Sequence, residues 1–277
     1  MIKSLPNLYC FLRLTQKEIS AIILNIDDHY SLKIKPKKKY GDFQKDDRGN
    51  IRYRELMVPD YILKSRQQII AQLLNKIDLP EYMFGSVKEK NNILNAQRHT
   101  CKKYFFTIDL KKFFPNINHH QVNRMFCANG FSPSVSRILT KLTTYRASLP
   151  QGAPSSPVIS NLVFLETSNK LYNLAKSEDI TFTTFLDDLT FSSNSCFENL
   201  IPQILEIIKG DNFYPSYDKI HYRKEYCEIT GLYVKGTAMK LPYRMKKKVK
   251  SNLYLRSYAR LVEQYSNHSA KFDYPNN

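Results

Sequence analysis

Apolar positions along the chain fall into two rhythms, one of period near 3.6 and one of short continuous runs. Ile51–Val58 reads as a strand with Arg52 and Arg54 on one face, and Pro59 ends it. From Asp60 onward, Ile62, Leu63, Ile69, Ile70, Leu73 and Leu74 recur at helical spacing. The run KKYFFTIDL is short and apolar and reads as a buried strand carrying Asp109 near its end. Asn118 is placed to cap a helix running to Gly130. Ser132-Pro133 opens another, with Val135, Ile138, Leu139 and Leu142 on one side. The stretch LPQGAPSSP is a stiff loop, after which Pro157 starts a helix reaching about Leu174. Ile180–Leu186 and Leu189–Ser193 then read as two strands joined at Asp187-Asp188, the spacing of a hairpin. A further helix, Glu198–Lys209, ends at Gly210. Helices and strands alternate with a hairpin among them, which favours an α+β fold over a doubly wound parallel sheet.

Charge changes this picture more than composition does. The chain has 277 residues and 42% apolar content, enough for one elaborate domain or two to three subdomains. It carries 42 Lys+Arg against 25 Asp+Glu, a formal charge of +17 that internal ion pairs cannot balance. A polyanionic partner is expected, nucleic acid first and an acidic membrane surface second. No apolar run is long enough to span a bilayer and no secretory pattern opens the chain, so no membrane is expected, and cysteine usage sets the expectation of a reducing, cytoplasmic setting. Five widely spaced cysteines without a CxxC pair suggest neither a zinc site nor a disulfide framework.

Two stretches concentrate the positive charge. Lys33, Lys35, Lys37, Lys38 and Lys39 lead into GDFQKDDRGN and read as a solvated loop. Lys235 to Arg260 holds nine Lys/Arg and no Asp/Glu, while Val249, Leu253, Tyr254, Tyr258, Leu261, Val262 and Tyr265 recur at helical spacing. One face of such a helix can pack while the other, with Lys246, Lys247, Lys248, Lys250 and Arg256, meets phosphate.

Asp109 and the Asp187-Asp188 pair are the candidate chemistry. If the hairpin pairs beside the first strand, three carboxylates converge, and their mutual repulsion calls for cations between them. Hard ions such as Mg²⁺ prefer carboxylate oxygen, and a pair about 4 Å apart supports in-line displacement at phosphorus. Taken alone, an Asp-Asp pair also fits a polar turn, and LPQGAPSSP alone fits a plain connection.

In combination these motifs resemble bacterial reverse transcriptases of the retron type. FFTIDLKKFFPNI resembles the family's first catalytic motif, and LPQGAPSSPVISNLVF its template- and nucleotide-positioning motif. FLDDLTFS resembles the second catalytic motif, usually Tyr-Ala-Asp-Asp. NAQRH, Asn95 to His99, matches the Asn-Ala-x-x-His element of retron enzymes, and ITG, Ile229 to Gly231, resembles their Val-Thr-Gly. The matches run in family order from about Arg52 to about Leu232.

The resemblance implies a right-hand polymerase. Residues 1–100 would form the N-terminal region and fingers. Residues 101–234 would form a palm, an antiparallel sheet backed by helices, with an inserted fingers segment at about 118–150. Residues 235–277 would form a reduced basic helical thumb, since 46 residues follow Gly231 where the family usually has more. Asp109, Asp187 and Asp188 would be catalytic and, with Leu110, hold two Mg²⁺ ions. Phe114 would be the steric gate against a 2′-hydroxyl. Arg52, Arg54, Gln151, Gly152 and Lys219 would contact the incoming dNTP, with Lys219 near the departing pyrophosphate. Asn95 and His99 are placed with the nucleic-acid contacts, while His99 also fits a core or helix-end histidine, its element belonging in the family to the architecture and not to the metal site. The implied partners are a structured noncoding RNA serving as template and primer, its DNA product joined to a 2′-hydroxyl of that RNA as branched RNA–DNA, dNTPs and an effector protein, in a system of phage defence. Three alternatives stay open: a defence-associated reverse transcriptase with another primer or no template, a catalytically silent RNA-binding scaffold, and a metal-dependent nuclease, in which the LPQG loop would have no role. Phe185 and Leu186 depart from the usual Tyr and Ala, which leaves the metal ligands in place but predicts altered efficiency or fidelity.

Overall fold

The computed structural model describes residues 1–266. Local signals explain most element boundaries. Helix α1 (Leu5–Leu12) is capped by Ser4, and α2 (Gln16–Leu24) opens on a Thr15–Glu18 capping box. Strand β1 (Tyr30–Pro36) follows, then two-residue strands β2 (Lys38–Lys39) and β3 (Asp42–Phe43), then β4 (Tyr53–Pro59). Asp60 caps α3 (Tyr61–Leu74) and Asn91 caps α4 (Asn92–Gln97). Strand β5 (Tyr104–Asp109) leads to the single turn α5 (Phe113–Asn116). Asn118 and Gln121 form a capping box for α6 (His119–Ala128), and Ser132 with Pro133 starts α7 (Pro133–Thr143). After α8 (Ser156–Ser177) come the hairpin strands β6 (Thr181–Phe185) and β7 (Asp188–Ser193), then α9 (Ile201–Gly210). Four short strands follow, β8 (His221–Lys224), β9 (Tyr226–Ile229), β10 (Leu232–Lys235) and β11 (Ala238–Lys240). The basic segment folds as two helices, α10 (Tyr243–Lys248) and α11 (Leu253–Tyr265), and 267–277 of the expected thumb lies outside the described residues.

Contacts divide the chain into two compact units. The first comprises Met1–Lys37, Phe43–Leu79 and Lys112–Leu165. Its helices bury Leu8, Leu12, Ile19, Ile22, Leu63, Ile70, Leu74, Val122, Phe126, Leu139 and Leu142. The buried Gln67 side chain donates to Tyr30 Oη at 2.8 Å and to the Leu142 carbonyl at 2.9 Å, tying α3 to β1 and α7. The lysine run expected as a loop is in fact a strand: β1 pairs antiparallel with β4, Lys35 opposite Arg54 and Lys33 opposite Leu56. The ribbon has a cationic face bearing Lys33, Lys35 and Arg54, and an opposite face bearing Leu32 and Ile34, both exposed.

The second unit comprises Lys38–Asp42, Pro80–Lys111 and the described residues from Glu166 onward. Its centre is a four-stranded antiparallel sheet of order β6-β7-β5-β8, beside a three-stranded meander β11-β10-β9. Ile93 and Ala96 of α4 share a core with Phe105, Cys227, Ile229, Leu232, Val234, Met239, Leu241 and Val262. On the basic segment the packed face is Met245, Val249, Tyr258, Ala259 and Val262, whereas Leu253 and Tyr254 point to solvent. A helix-period pattern alone does not separate these two sets.

Candidate active site

The register of the central sheet brings the carboxylates together along the backbone. β5 lies against β7 with Asp109 directly opposite Asp188. The hairpin that delivers Asp188 turns one residue earlier than its sequence suggests. Phe185 pairs with Asp188, so Leu186 and Asp187 form the turn, and Leu186 takes a left-handed φ of 57°. Such a φ suits the tight turns that match strand twist, and a branched side chain adopts it only when neighbours hold it there. Leu110 N donates to the Asp187 carbonyl at 2.8 Å, which ties the turn to the end of β5. Leu110 itself is buried and apolar, so a cation could use only its carbonyl.

A bracing segment holds the outer edge of the hairpin. Phe84 N donates to Thr184 O and Thr184 N to Tyr82 O, each at 2.8 Å, extending the sheet beyond β6. Lys90 Nζ donates to the carbonyls of Pro80, Glu81 and Met83 at 3.1, 2.8 and 2.9 Å, closing the segment into a loop. Gly85 then lies flat on the turn: a Cβ there would come within 2.4 Å of Leu186 N and 2.7 Å of Phe185 C. No sequence signal singles out Gly85 or Lys90.

Asp109 is engaged at both oxygens. Lys219 Nζ approaches Oδ1 at 2.8 Å and Ser216 Oγ donates to Oδ2 at 3.0 Å. Protein crowding, and then the charges of Asp187 and Asp109, push the Asp188 carboxyl up to about 7, while Lys219 and Lys39 oppose the rise. The Asp188 residue itself keeps a face open to solvent. Among the described residues, no group of three or more His, Cys, Asp or Glu side chains stands ready-made to hold an ion. The donor chemistry still fits a hard divalent cation: carboxylates on adjoining backbone, repelling one another, with a lysine standing where positive charge is needed.

The other expected positions fall as follows. Arg52, Arg54, Phe114, Gln151 and Gly152 all belong to the first unit, and Asp109, Leu110, Asp187, Asp188 and Lys219 to the second. Gln151 O accepts from Met57 N at 2.9 Å, so the LPQG loop docks on β4, the strand that carries Arg54. Gly152 has φ 126°, and a Cβ there would sit 3.0 Å from Met57 O and 3.3 Å from Leu56 Cβ. Arg52 and Arg54 are exposed, and Phe114 is half-buried with its ring 5.6 Å from that of Phe113.

Asn95 and His99 require a correction. Both are fully buried, at 1% and 0% exposure, and cannot reach nucleic acid. His99 bridges β6 and β7 through Nε2 to Thr183 Oγ1 at 2.7 Å and Nδ1 to Ser192 Oγ at 2.6 Å. Burial, helped by Lys102 and Arg98, pushes its pKa down to about 3, so the ring is neutral. Asn95 Nδ2 donates to Thr230 Oγ1 at 3.3 Å, and Thr230 Oγ1 donates to Asn92 O at 3.2 Å. The NAQRH and ITG elements, 135 residues apart from Asn95 to Thr230, therefore interlock as one structural joint.

Of the basic residues, Lys246, Lys247, Lys250 and Arg256 are exposed. Lys248 is committed inside the chain, to Asp42 at 2.5 Å and the Tyr40 carbonyl at 3.2 Å. Among the described residues no helix is long and apolar enough to cross a membrane.

Comparison with known proteins shows the family and the fold. The profile of the family described as reverse transcriptase (RNA-dependent DNA polymerase) matches residues 34–234. The chain is 28% identical to the retron Se72 reverse transcriptase of Salmonella heidelberg over 280 residues, covering 95% of this chain and 71% of that one. It is 32% identical to the retron Ec86 reverse transcriptase of Escherichia coli over 145 residues, 52% of this chain and 45% of that one. The chain thus spans most of the Se72 enzyme, while the Ec86 match covers under half of that enzyme's length. In architecture it is similar to the telomerase of Candida albicans, solved with a TWJ fragment of telomeric RNA, with TM-score 0.53 and 12% identity over 89% of this chain and 55% of that one. That likeness shows a right-hand polymerase fold. With its two acidic motifs in register on one sheet, the chain belongs to the reverse transcriptase (RNA-dependent DNA polymerase) family and is of the retron type.

Proposed function

We propose that the protein copies a structured noncoding RNA into DNA, using that RNA as template and primer, in a phage-defence system that includes an effector protein. The observation that carries the reading is the register of Asp109 against Asp188, with Asp187 tied to the same strand end. Asp109, Asp187, Asp188 and the Leu110 carbonyl would hold two Mg²⁺ ions. When bound, such ions activate an attacking hydroxyl and stabilise the leaving oxygen at phosphorus. Family membership carries divalent-ion use in general, and the identity and number of the ions are part of this proposal.

The chain's own residues then divide the work. Arg54, on the cationic side of the β1–β4 ribbon, and Arg52, just before β4, would neutralise the triphosphate. The Gln151–Gly152 backbone, docked on the same ribbon, would position the nucleotide. Phe114 would deny room to a 2′-hydroxyl, since a bulky ring offers it neither space nor a hydrogen-bond partner. Lys219 would balance charge or supply a proton at the departing pyrophosphate. Lys246, Lys247, Lys250 and Arg256 would meet phosphates of the product duplex. We further assign the first unit to the fingers and the second to palm and thumb.

The test is extension of copurifying RNA by purified protein with Mg²⁺ and labelled dNTPs. Wild type should extend, and Asp187→Asn with Asp188→Asn should not, while RNA binding survives. No extension by wild type would instead favour an RNA-holding scaffold.

A further inference from the structure

We infer that Ser216 is a positioning residue that sets the Asp109 carboxylate to receive a divalent cation, while Lys219 is a place-holder that the cation displaces. The inference rests on the proposed metal site and adds a residue to it.

The geometry starts from where the sheet stops. β8 pairs with β5 only as far as Thr107 opposite His221, so Asp109 lies beyond the end of that pairing. The segment Tyr214–Ser216 fills the gap. Ser216 N donates to Asp109 O at 2.8 Å, Lys111 N donates to Tyr214 O at 2.7 Å, and Leu110 bridges Pro215 between them. Two backbone bonds fix this register, so the Ser216 side chain, on a buried residue, has a defined place beside the carboxylate.

The two contacts to Asp109 differ in kind. Ser216 Oγ is a neutral donor on a short, buried side chain, 3.0 Å from Oδ2. Lys219 Nζ is a charged donor on a long stem, half-exposed, 2.8 Å from Oδ1. A carboxylate oxygen has two lone pairs, so Oδ2 can keep the serine bond and still ligate. An ammonium and a dication, by contrast, compete for the same charge. Entry of the cation therefore expels Lys219 and leaves Ser216 in place to hold the carboxylate plane. The released ammonium is then free beside the reacting phosphates. Outer-shell partners of this kind are worth about 10–100-fold in metal affinity.

The experiment is Mn²⁺ binding to the full chain freed of nucleic acid, read by electron paramagnetic resonance of unbound Mn²⁺, with the thermal midpoint in EDTA measured alongside. Ser216→Ala should weaken Mn²⁺ binding about ten-fold at an unchanged EDTA midpoint. Ser216→Thr, which keeps the hydroxyl, should restore it. Lys219→Met should tighten binding, the opposite sign from Ser216→Ala. Asp109→Asn separates the two levels of the argument. If it leaves Mn²⁺ binding intact, the metal-site reading fails. If it abolishes binding while Ser216→Ala binds as wild type, or Lys219→Met binds more weakly, the positioning role of Ser216 and the place-holding role of Lys219 are overturned and the metal site stands.

Discussion

Asp109 and Asp188 face one another as direct cross-strand neighbours on β5 and β7. Side chains opposite each other in an antiparallel pair lie about 4.5–5.5 Å apart at Cβ, close enough for like charges to destabilise the pair. The site is thus assembled at a cost to the fold, and that cost is measurable.

Asp188→Asn should raise the thermal midpoint of the EDTA-treated protein at pH 7.5 while abolishing extension. The Asp188 carboxyl is pushed from 3.8 up to about 7, so the folded state holds this proton more tightly than the unfolded state does. Stability from this group is present below about pH 4 and is lost as pH rises through about 7. Solvent screening at the open side chain reduces the effect to about 1 kcal/mol, or about 2–4 °C in calorimetry. The gain should vanish at pH 4, and excess Mg²⁺ should stabilise wild type more than the variant. A variant less stable than wild type at pH 7.5 in EDTA would refute the repulsion argument.

Gly85 sets a second constraint, on the turn. A Cβ at this position meets backbone, Leu186 N at 2.4 Å, and not merely the movable Leu186 Cγ at 2.8 Å. Gly85→Ala should therefore displace the Leu186–Asp187 turn and slow extension about 10²-fold, with RNA affinity unchanged. Adding Leu186→Ala should not restore the rate, because the clash with main chain remains. Recovery in the double variant would mean that only side-chain crowding was at issue.

His99 predicts an acid sensitivity separate from the active site. Its pKa is pushed from 6.5 down to about 3, so the unfolded chain takes up this proton first as pH falls. The stability held by the neutral ring is complete above about pH 6.5 and is lost progressively toward pH 3. One proton corresponds to about 1.4 kcal/mol per pH unit, hence about 2 kcal/mol between pH 6.5 and pH 5. Urea unfolding of wild type and His99→Gln at both pH values measures it. An equal loss in both proteins would assign the sensitivity to other groups.

How far these features are legible in the sequence depends on burial. KKYFFTIDL and the strands around Asp187-Asp188 are buried and apolar, so their type is legible, and so is their pairing once a single sheet is supposed. The register is not, because a turn at Leu186–Asp187 needs a left-handed leucine, and only Gly85 and the Tyr82–Phe84 brace make room for it. The loop reading of β1 follows the lysines and passes over Tyr30, Leu32 and Ile34, which alternate with Ser31, Lys33 and Lys35 at the strand period. β8 to β11 are three or four residues each, too short for any period to show. His99 carries a motif but no sign of its environment, so a core histidine and a surface contact read alike in the sequence. Ser216 has no signal at all, since its role comes from a backbone register between segments 107 residues apart.

The basic helices make the last prediction. Lys248, expected as a phosphate contact on α10, instead sits in an internal ion pair, at 2.5 Å from Asp42 and also on the Tyr40 carbonyl. The same short segment reaches the meander, where Lys39 pairs with Glu228 at 2.9 Å and Tyr40 Oη donates to Glu228. Nucleic acid that engages Lys248 must first break the Asp42 contact. Asp42→Asn should therefore raise affinity for an RNA–DNA duplex, by no more than about five-fold, since a partly exposed ion pair is worth about 1 kcal/mol or less. Lys247→Ala should weaken binding and reduce the slope of log affinity against log salt by about one, because Lys247 is exposed and its ammonium lies over the Tyr243 ring, 4.6 Å from the centroid. Lys248→Ala should reduce the slope in the Asp42→Asn background by the same amount, and by less in wild type, where the Asp42 pair already offsets the charge. Fluorescence anisotropy across a salt series reads all of these variants against wild type. Equal slope changes for Lys248→Ala in both backgrounds would show that Asp42 does not hold Lys248 back from the duplex.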